Sequence, residues 1–134
     1  GGTLWQPKLV SKITDSNNTT VKEFKPKTIK TELIGQDNLE IVREGLRMAV
    51  TDVDGSAYFL KDLPIKVAGK TGTAQVYSDF SKINALFAGF APYDDPQIAL
   101  AIVVEGSGQG ITSALPAAQE VFEWYYNKNH DKLK

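Results

Sequence analysis

Two spacings of apolar residues divide this chain. Lys8 to Thr14 and Thr20 to Phe24, rich in apolar and β-branched residues among lysines and threonines, read as short strands. Asp15-Ser16-Asn17-Asn18-Thr19 lies between them. Asn and Asp tolerate left-handed backbone and bond their own main chain, so this is turn chemistry, and a β-hairpin is expected within about residues 3–25. Lys25-Pro26-Lys27 ends it. The spacing then becomes helical. Leu39, Val42, Leu46 and Ala49 or Val50 share one face, which predicts a helix over about 38–51. Asp37 is placed to cap it and Glu40 to bond back, as in a capping box. Asp52-Val53-Asp54-Gly55-Ser56 stops it.

Beyond that helix the pattern is that of a meander over about residues 66–105. Lys66 to Tyr77 reads as a strand, followed by a polar loop, Tyr77 to Lys82. Two apolar runs come next, 85–91 and 98–104, joined by the turn Pro92-Tyr93-Asp94-Asp95-Pro96. Their apolar residues are consecutive, so both faces of these strands are expected to be covered. Gly106-Ser107-Gly108-Gln109-Gly110 reads as a flexible loop. A last helix is expected over about 113–128, with Ser113 as cap, Pro116 in the first turn, and Leu115, Ala118, Phe122 and Tyr125 on one face. A frayed polar tail, 127–134, follows. The fold class is α+β: a three-stranded antiparallel sheet flanked by two helices, with a hairpin appended.

Composition narrows the function classes. The 134 residues are the size of one domain, with 42% hydrophobic and 23% charged residues, near the globular average. A net charge of −1 leaves no electrostatic footprint for nucleic acid. Cys is absent, which removes disulfides, thiolate catalysis and Cys-based metal sites. No run approaches a membrane span or a secretory leader. The opening Gly1-Gly2-Thr3-Leu4-Trp5, without Met, reads as that of a processed or excised piece.

The chemistry concentrates in Lys66-Val67-Ala68-Gly69-Lys70-Thr71-Gly72-Thr73-Ala74-Gln75-Val76. Lys, Thr and Gly are poor material for a buried strand, and glycine in a strand marks close approach of a ligand or a second backbone. The run Lys70-Thr71-Gly72-Thr73-Ala74-Gln75 resembles the third motif of the penicillin-binding protein transpeptidase domain. Its flanks agree. Val42 to Val50 resembles the helix before that motif. Ala88-Gly89-Phe90-Ala91-Pro92 with Pro96 to Ala101 resembles the hairpin after it. Gly1-Gly2-Thr3-Leu4 with Pro7-Lys8-Leu9-Val10 resembles the segment just past the second motif. The resemblance covers about residues 1–126 and is nearest to class B proteins of the penicillin-binding protein 2 type.

That resemblance implies a partial transpeptidase fold of the serine β-lactamase kind. It implies D,D-transpeptidation of peptidoglycan stem peptides by serine acyl transfer, acylation by β-lactams, and no metal or organic cofactor. It assigns Lys70 a positive charge in the cleft, directed toward the second-motif Ser. Thr71 and Thr73 become hydroxyl ligands of a substrate carboxylate, and the Thr73 backbone N–H becomes an oxyanion donor. Gly72 leaves the strand bare for an extended peptide. The family's Ser-x-x-Lys nucleophile motif occurs nowhere in this chain, and Ser16-Asn17-Asn18, a letter match to Ser-x-Asn, sits in the hairpin turn. Residues 1–134 are therefore expected to form the C-terminal part of one transpeptidase domain, with no nucleophile of its own. The implied setting is the outer face of a bacterial cytoplasmic membrane, in a membrane-anchored protein of a cell-wall synthesis complex. An exposed apolar sheet face, open to self-association, is expected.

Several other features read as structural. Gln75 and Tyr77 continue the strand. His130, the single His, lies in the tail and gives no metal site. The loop 106–110 lacks the spacing of a phosphate cradle. Phe122, Trp124, Tyr125 and Tyr126 read as helix packing, and Asp94-Asp95 as a turn. Rival functions are a penicillin-recognising sensor without turnover, a related D,D-carboxypeptidase or β-lactamase, and an unrelated α+β interaction domain.

Overall fold

A computed structural model describes residues 2–76, 79–107 and 110–132. The chain divides into two compact units, Gly1–Ile41 and Val42–Lys134.

The first unit is built from two small antiparallel ladders. Strand β1, Leu4–Trp5, pairs with β4, Thr28–Lys30; β2, Lys12–Thr14, pairs with β3, Thr20–Glu23. The β2–β3 hairpin turns as its residues require. The Asp15 carboxylate accepts from the backbone N–H groups of Asn17 and Thr19, both at 2.9 Å, and Asn18 takes the left-handed conformation at φ 61°. Strand β2 is shorter than the expected Lys8–Thr14, and the β1–β4 pair was not legible because its members are only two and three residues long. No described residue from Gly2 to Ile41 is buried. Leu9, Val21 and Ile29 are all exposed, so this unit has no core of its own among its described residues.

The second unit holds the core. Helix α1 runs Gln36–Thr51, starting two residues earlier than expected, and its residues from Val42 on belong to this unit. The Leu39 N–H donates to the Gly35 carbonyl, so Asp37 lies inside the first turn, where a carboxylate suits the helix dipole, and does not cap. The buried face also differs. Val42 is exposed, whereas Arg43 and Arg47 turn inward with Leu46 and Val50. Helical spacing counts only apolar letters; here two guanidinium groups take inward places because backbone carbonyls await them. Gly55 closes the helix stop by close approach: a Cβ there would lie 2.4 Å from the Ala49 carbonyl oxygen.

The sheet follows as β5, Ala68–Val76, β6, Asp79–Ala91, and β7, Ile98–Val104, antiparallel in the order β5-β6-β7. Strand β6 starts at Asp79, so Asp79 to Lys82 are strand and not loop; they pair with the end of β5, where Val76 faces Asp79. Tyr77 and Ser78 lie outside the described residues. Helix α2 spans Gly110–Asn129, starting three residues before the expected Ser113. The Ser113 hydroxyl donates to the Ser107 carbonyl instead of capping, and Pro116 sits in the second turn, costing a backbone hydrogen bond there. In the polar tail, residues 127–129 continue α2 and His130–Lys132 form a helical turn; residues 133–134 lie outside the described residues.

One residue organises the packing. Phe87 is buried in the middle of β6, and its register neighbours are Thr71 and Ile102. Its ring lies over Gly69 and Gly89, which face each other across β5 and β6; a Cβ on either would come within 2.6 Å of the ring. It meets Phe122 of α2 edge-on, centroids 6.4 Å apart, a contact worth about 0.5–1.5 kcal/mol beyond its area. Ala85, Ala91, Leu115 and Ala118 complete that layer. The opposite face is not covered as expected: Ala88, Ala99, Ala101 and Val103 are exposed, so β7 alternates. Trp124 is likewise exposed, so the aromatic cluster of α2 packs only through Phe122 and, in part, Tyr125 and Tyr126.

Gly89→Ala is expected to destabilise the protein by about 1–3 kcal/mol, because the new methyl meets the Phe87 ring and the Ala68 carbonyl, which cannot yield. Urea unfolding measures this, and a change below about 0.5 kcal/mol would contradict the packing described.

Candidate active-site strand

Strand β5 is an edge of its sheet, paired with β6 alone. Register with β6 sorts its side chains. Lys70 and Gly72 face Ala88 and Leu86, on the exposed side; Thr71 and Thr73 face Phe87 and Ala85, on the side packed by α2. The alternation of a strand therefore separates the lysine from the two threonines. It does not keep their polar atoms apart. The Lys70 ammonium curls back along the strand and donates to the Thr71 carbonyl at 3.0 Å, with the Thr71 hydroxyl at 3.5 Å. Charge and hydroxyl converge there.

Each remaining residue has a definite place. Thr73 and Gln75 are exposed further along the strand. Gly72 is half-buried, and a Cβ there would press on Leu86 at 3.3 Å, so the bare position serves packing. Tyr77 lies outside the described residues. His130 is exposed, bonded to the Asn127 carbonyl and near Asp131, far in sequence from the strand. Among the described residues no group of three His, Asp or Glu could hold a metal, and no helix is long and apolar enough to cross a membrane.

Three residues at this site were not singled out by the sequence. The Lys70 ammonium also donates to the Ser56 hydroxyl at 3.1 Å. Arg47 donates to the carbonyl of Val67, just before β5. Arg43 donates to the Tyr93 carbonyl at 2.7 Å, its guanidinium lying 5.9 and 5.5 Å from the Phe90 and Tyr93 rings. Two arginines at i and i+4 on one helix face were the available signal; Ser56 carried none. A shallow hollow of about 290 Å³ opens beside Lys70, lined by Met48, Asp52, Asp54 and Gly55. A second, of about 320 Å³, lies where the strand ends, between Val76, Asn84 and Glu105.

Chemically, the arrangement offers a fixed cation, two hydroxyls and an edge of main-chain donors and acceptors. That is a set for binding an extended chain with an anionic group. The penicillin binding protein transpeptidase domain family matches residues 1–123, nearly the whole chain. The chain belongs to that family. It is 32% identical over 103 residues to the peptidoglycan D,D-transpeptidase MrdA of Haemophilus influenzae, covering 66% of this chain and 16% of the relative. It is 32% identical over 110 residues to the stage V sporulation protein D of Bacillus subtilis, covering 78% of this chain and 17% of that protein. The solved D,D-transpeptidase domain of an Eggerthella lenta peptidoglycan glycosyltransferase superposes with a TM-score of 0.73 at 29% identity, over 96% of this chain and 29% of that one. The chain thus spans under a fifth of the length of these two curated relatives. Antiparallel sheet and helices are those of the family's domain, as the Lys-Thr-Gly resemblance implied.

If Arg47 holds the start of β5, Arg47→Ala is expected to speed amide exchange at Lys70 to Thr73 by about tenfold, the effect of one lost hydrogen bond to a charged group. Hydrogen exchange read by mass spectrometry checks this, and unaltered protection there would contradict it.

Proposed function

We propose that this chain forms the substrate-binding wall of a peptidoglycan D,D-transpeptidase that is acylated by β-lactams, and that the attacking serine is supplied by residues outside these 134. The carrying observation is the edge strand β5, on which the Lys70 ammonium reaches the Thr71 hydroxyl beside an unpaired main-chain edge. Family membership supports the reaction class.

The chemistry follows from what acyl transfer demands. A serine hydroxyl attacks the penultimate D-Ala carbonyl of a donor peptide, D-Ala leaves as an amine, and an amine of a neighbouring strand then takes the acyl group. An extended donor lies along β5 as an added strand, with Gly72 leaving room. The hydroxyls of Thr71 and Thr73 bind the terminal carboxylate of the donor, or the carboxylate of a β-lactam. The Thr73 N–H donates to the developing oxyanion, where one such donor is worth about 2.7–4 kcal/mol. Lys70 places its charge near the second-motif hydroxyl and stabilises negative charge as it develops. No cofactor takes part. The setting is the outer face of the cytoplasmic membrane, in a membrane-anchored protein of a cell-wall complex, and residues 1–134 are one part of one transpeptidase domain. The bare sheet face around Ala101 and Val103 is where further protein is expected to pack.

Lys70→Ala in the full-length protein is expected to lower the acylation rate by a labelled penicillin by about 100-fold, as for loss of one electrostatic contact to the transition state. The 134-residue chain alone is expected to form no covalent adduct. Gel fluorescence and mass spectrometry read both, and a serine-linked adduct on the isolated chain, or full acylation without Lys70, would refute the reading.

A further inference from the structure

Among the described residues Lys70 forms no ion pair: its ammonium is held by the Ser56 hydroxyl, the Thr71 carbonyl and, at longer range, the Thr71 hydroxyl. All three acceptors are neutral and hold the ammonium in place, while Asp52 and Asp54 line the hollow beside it without reaching ion-pair distance. Of the three, only Ser56 comes from a different element, and so only Ser56 can tie the lysine to the body of the fold.

Ser56 is well placed for that. On one side stands Gly55, whose N–H donates to the Asp52 carbonyl and whose backbone is pressed against Ala49. On the other stands Ala57, fully buried, whose N–H donates to the Ala49 carbonyl at 2.9 Å. The two neighbours leave the Ser56 backbone little freedom, so its side chain starts from a fixed point in the turn that follows α1. A lysine stem has four rotatable carbons and loses about 2 kcal/mol of rotamer entropy when held. Without an anchor from outside its own strand, the Lys70 charge would spread over many positions.

We infer that Ser56 is a positioning residue for the substrate-binding wall: its hydroxyl holds the Lys70 ammonium at the edge of β5, where it meets an anionic ligand. The inference rests on the proposed function for its catalytic consequence, but its geometric half stands alone. The role assigned to Ser56 is positioning, not contact with substrate or the reacting atoms, and it is exerted through Lys70 alone.

The test uses Ser56→Ala and Ser56→Thr in the full-length protein, with two readouts. The first is the rate at which acetic anhydride modifies the Lys70 amine, read by peptide mass spectrometry against the exposed Lys128 in the same digest. Ser56→Ala is expected to raise Lys70 modification several-fold; Ser56→Thr, which keeps a hydroxyl, is expected to restore the parent rate. The second is the second-order rate constant of acylation by a labelled penicillin, expected to fall about tenfold in Ser56→Ala, the loss of one hydrogen bond to a charged group, and to recover in Ser56→Thr. Equal Lys70 modification in Ser56→Ala and the parent overturns the inference. So does an unchanged acylation rate in Ser56→Ala where Lys70→Ala lowers acylation about 100-fold. If Lys70→Ala leaves acylation intact, the proposed function fails, and the modification rates alone decide the role of Ser56.

Discussion

The seating of the Phe87 ring on a pair of facing glycines is the constraint on which the sheet depends. Gly69 and Gly89 oppose each other across β5 and β6, and neither leaves space for a side chain. The ring that fills their place is buried and meets α2 through Phe122. This locks register. A slip of one residue would put a side chain where the ring lies and turn Phe87 to the exposed face. Because β5 is held to β6 in this register, Lys70 and Thr71 fall where the strand edge is free. The position of the site is thus set by a packing contact one residue before the motif begins.

From the same pairing comes the division of the site into two sides. Alternation sends the lysine to the bare face of the sheet and the threonines to the face packed by α2. A strand interior would leave these groups separated by the backbone. An edge strand lets a long side chain reach round, as Lys70 does to Thr71. A lysine suits this place better than an arginine would, since its flexible stem and compact charge can turn back on its own strand. The anchoring by Ser56 and the clamp from Arg47 then supply the order that a flexible stem lacks.

Much of this was legible in the sequence, for definite reasons. The hairpin turn carries its own chemistry in Asp15 and Asn18, and the structure uses both. The meander was visible because turn residues separate its apolar runs. The Lys-Thr-Gly run stood out because it is unlike ordinary strand material, and family membership agrees with the resemblance it carried. What could not be read depends on tertiary partners. Arg43 and Arg47 look like solvent-facing charges until the carbonyls of Tyr93 and Val67 are in place. Gly69 and Gly89 are two glycines among many until register brings them together. The start of α2 was misplaced because Pro116 normally marks a first turn, whereas here the helix tolerates it one turn later. The expectation of two covered faces failed because consecutive small residues such as Ala99 and Ala101 suit an uncovered face as well as a buried one.

The most direct test of the central claim is a structure of the full-length protein acylated by a β-lactam. The β-lactam carboxylate should lie within hydrogen-bond reach of the Thr71 and Thr73 hydroxyls, with the ligand running alongside β5 and the Lys70 ammonium still bonded to Ser56. A ligand acylated on serine whose carboxylate has no partner on β5 would contradict the account.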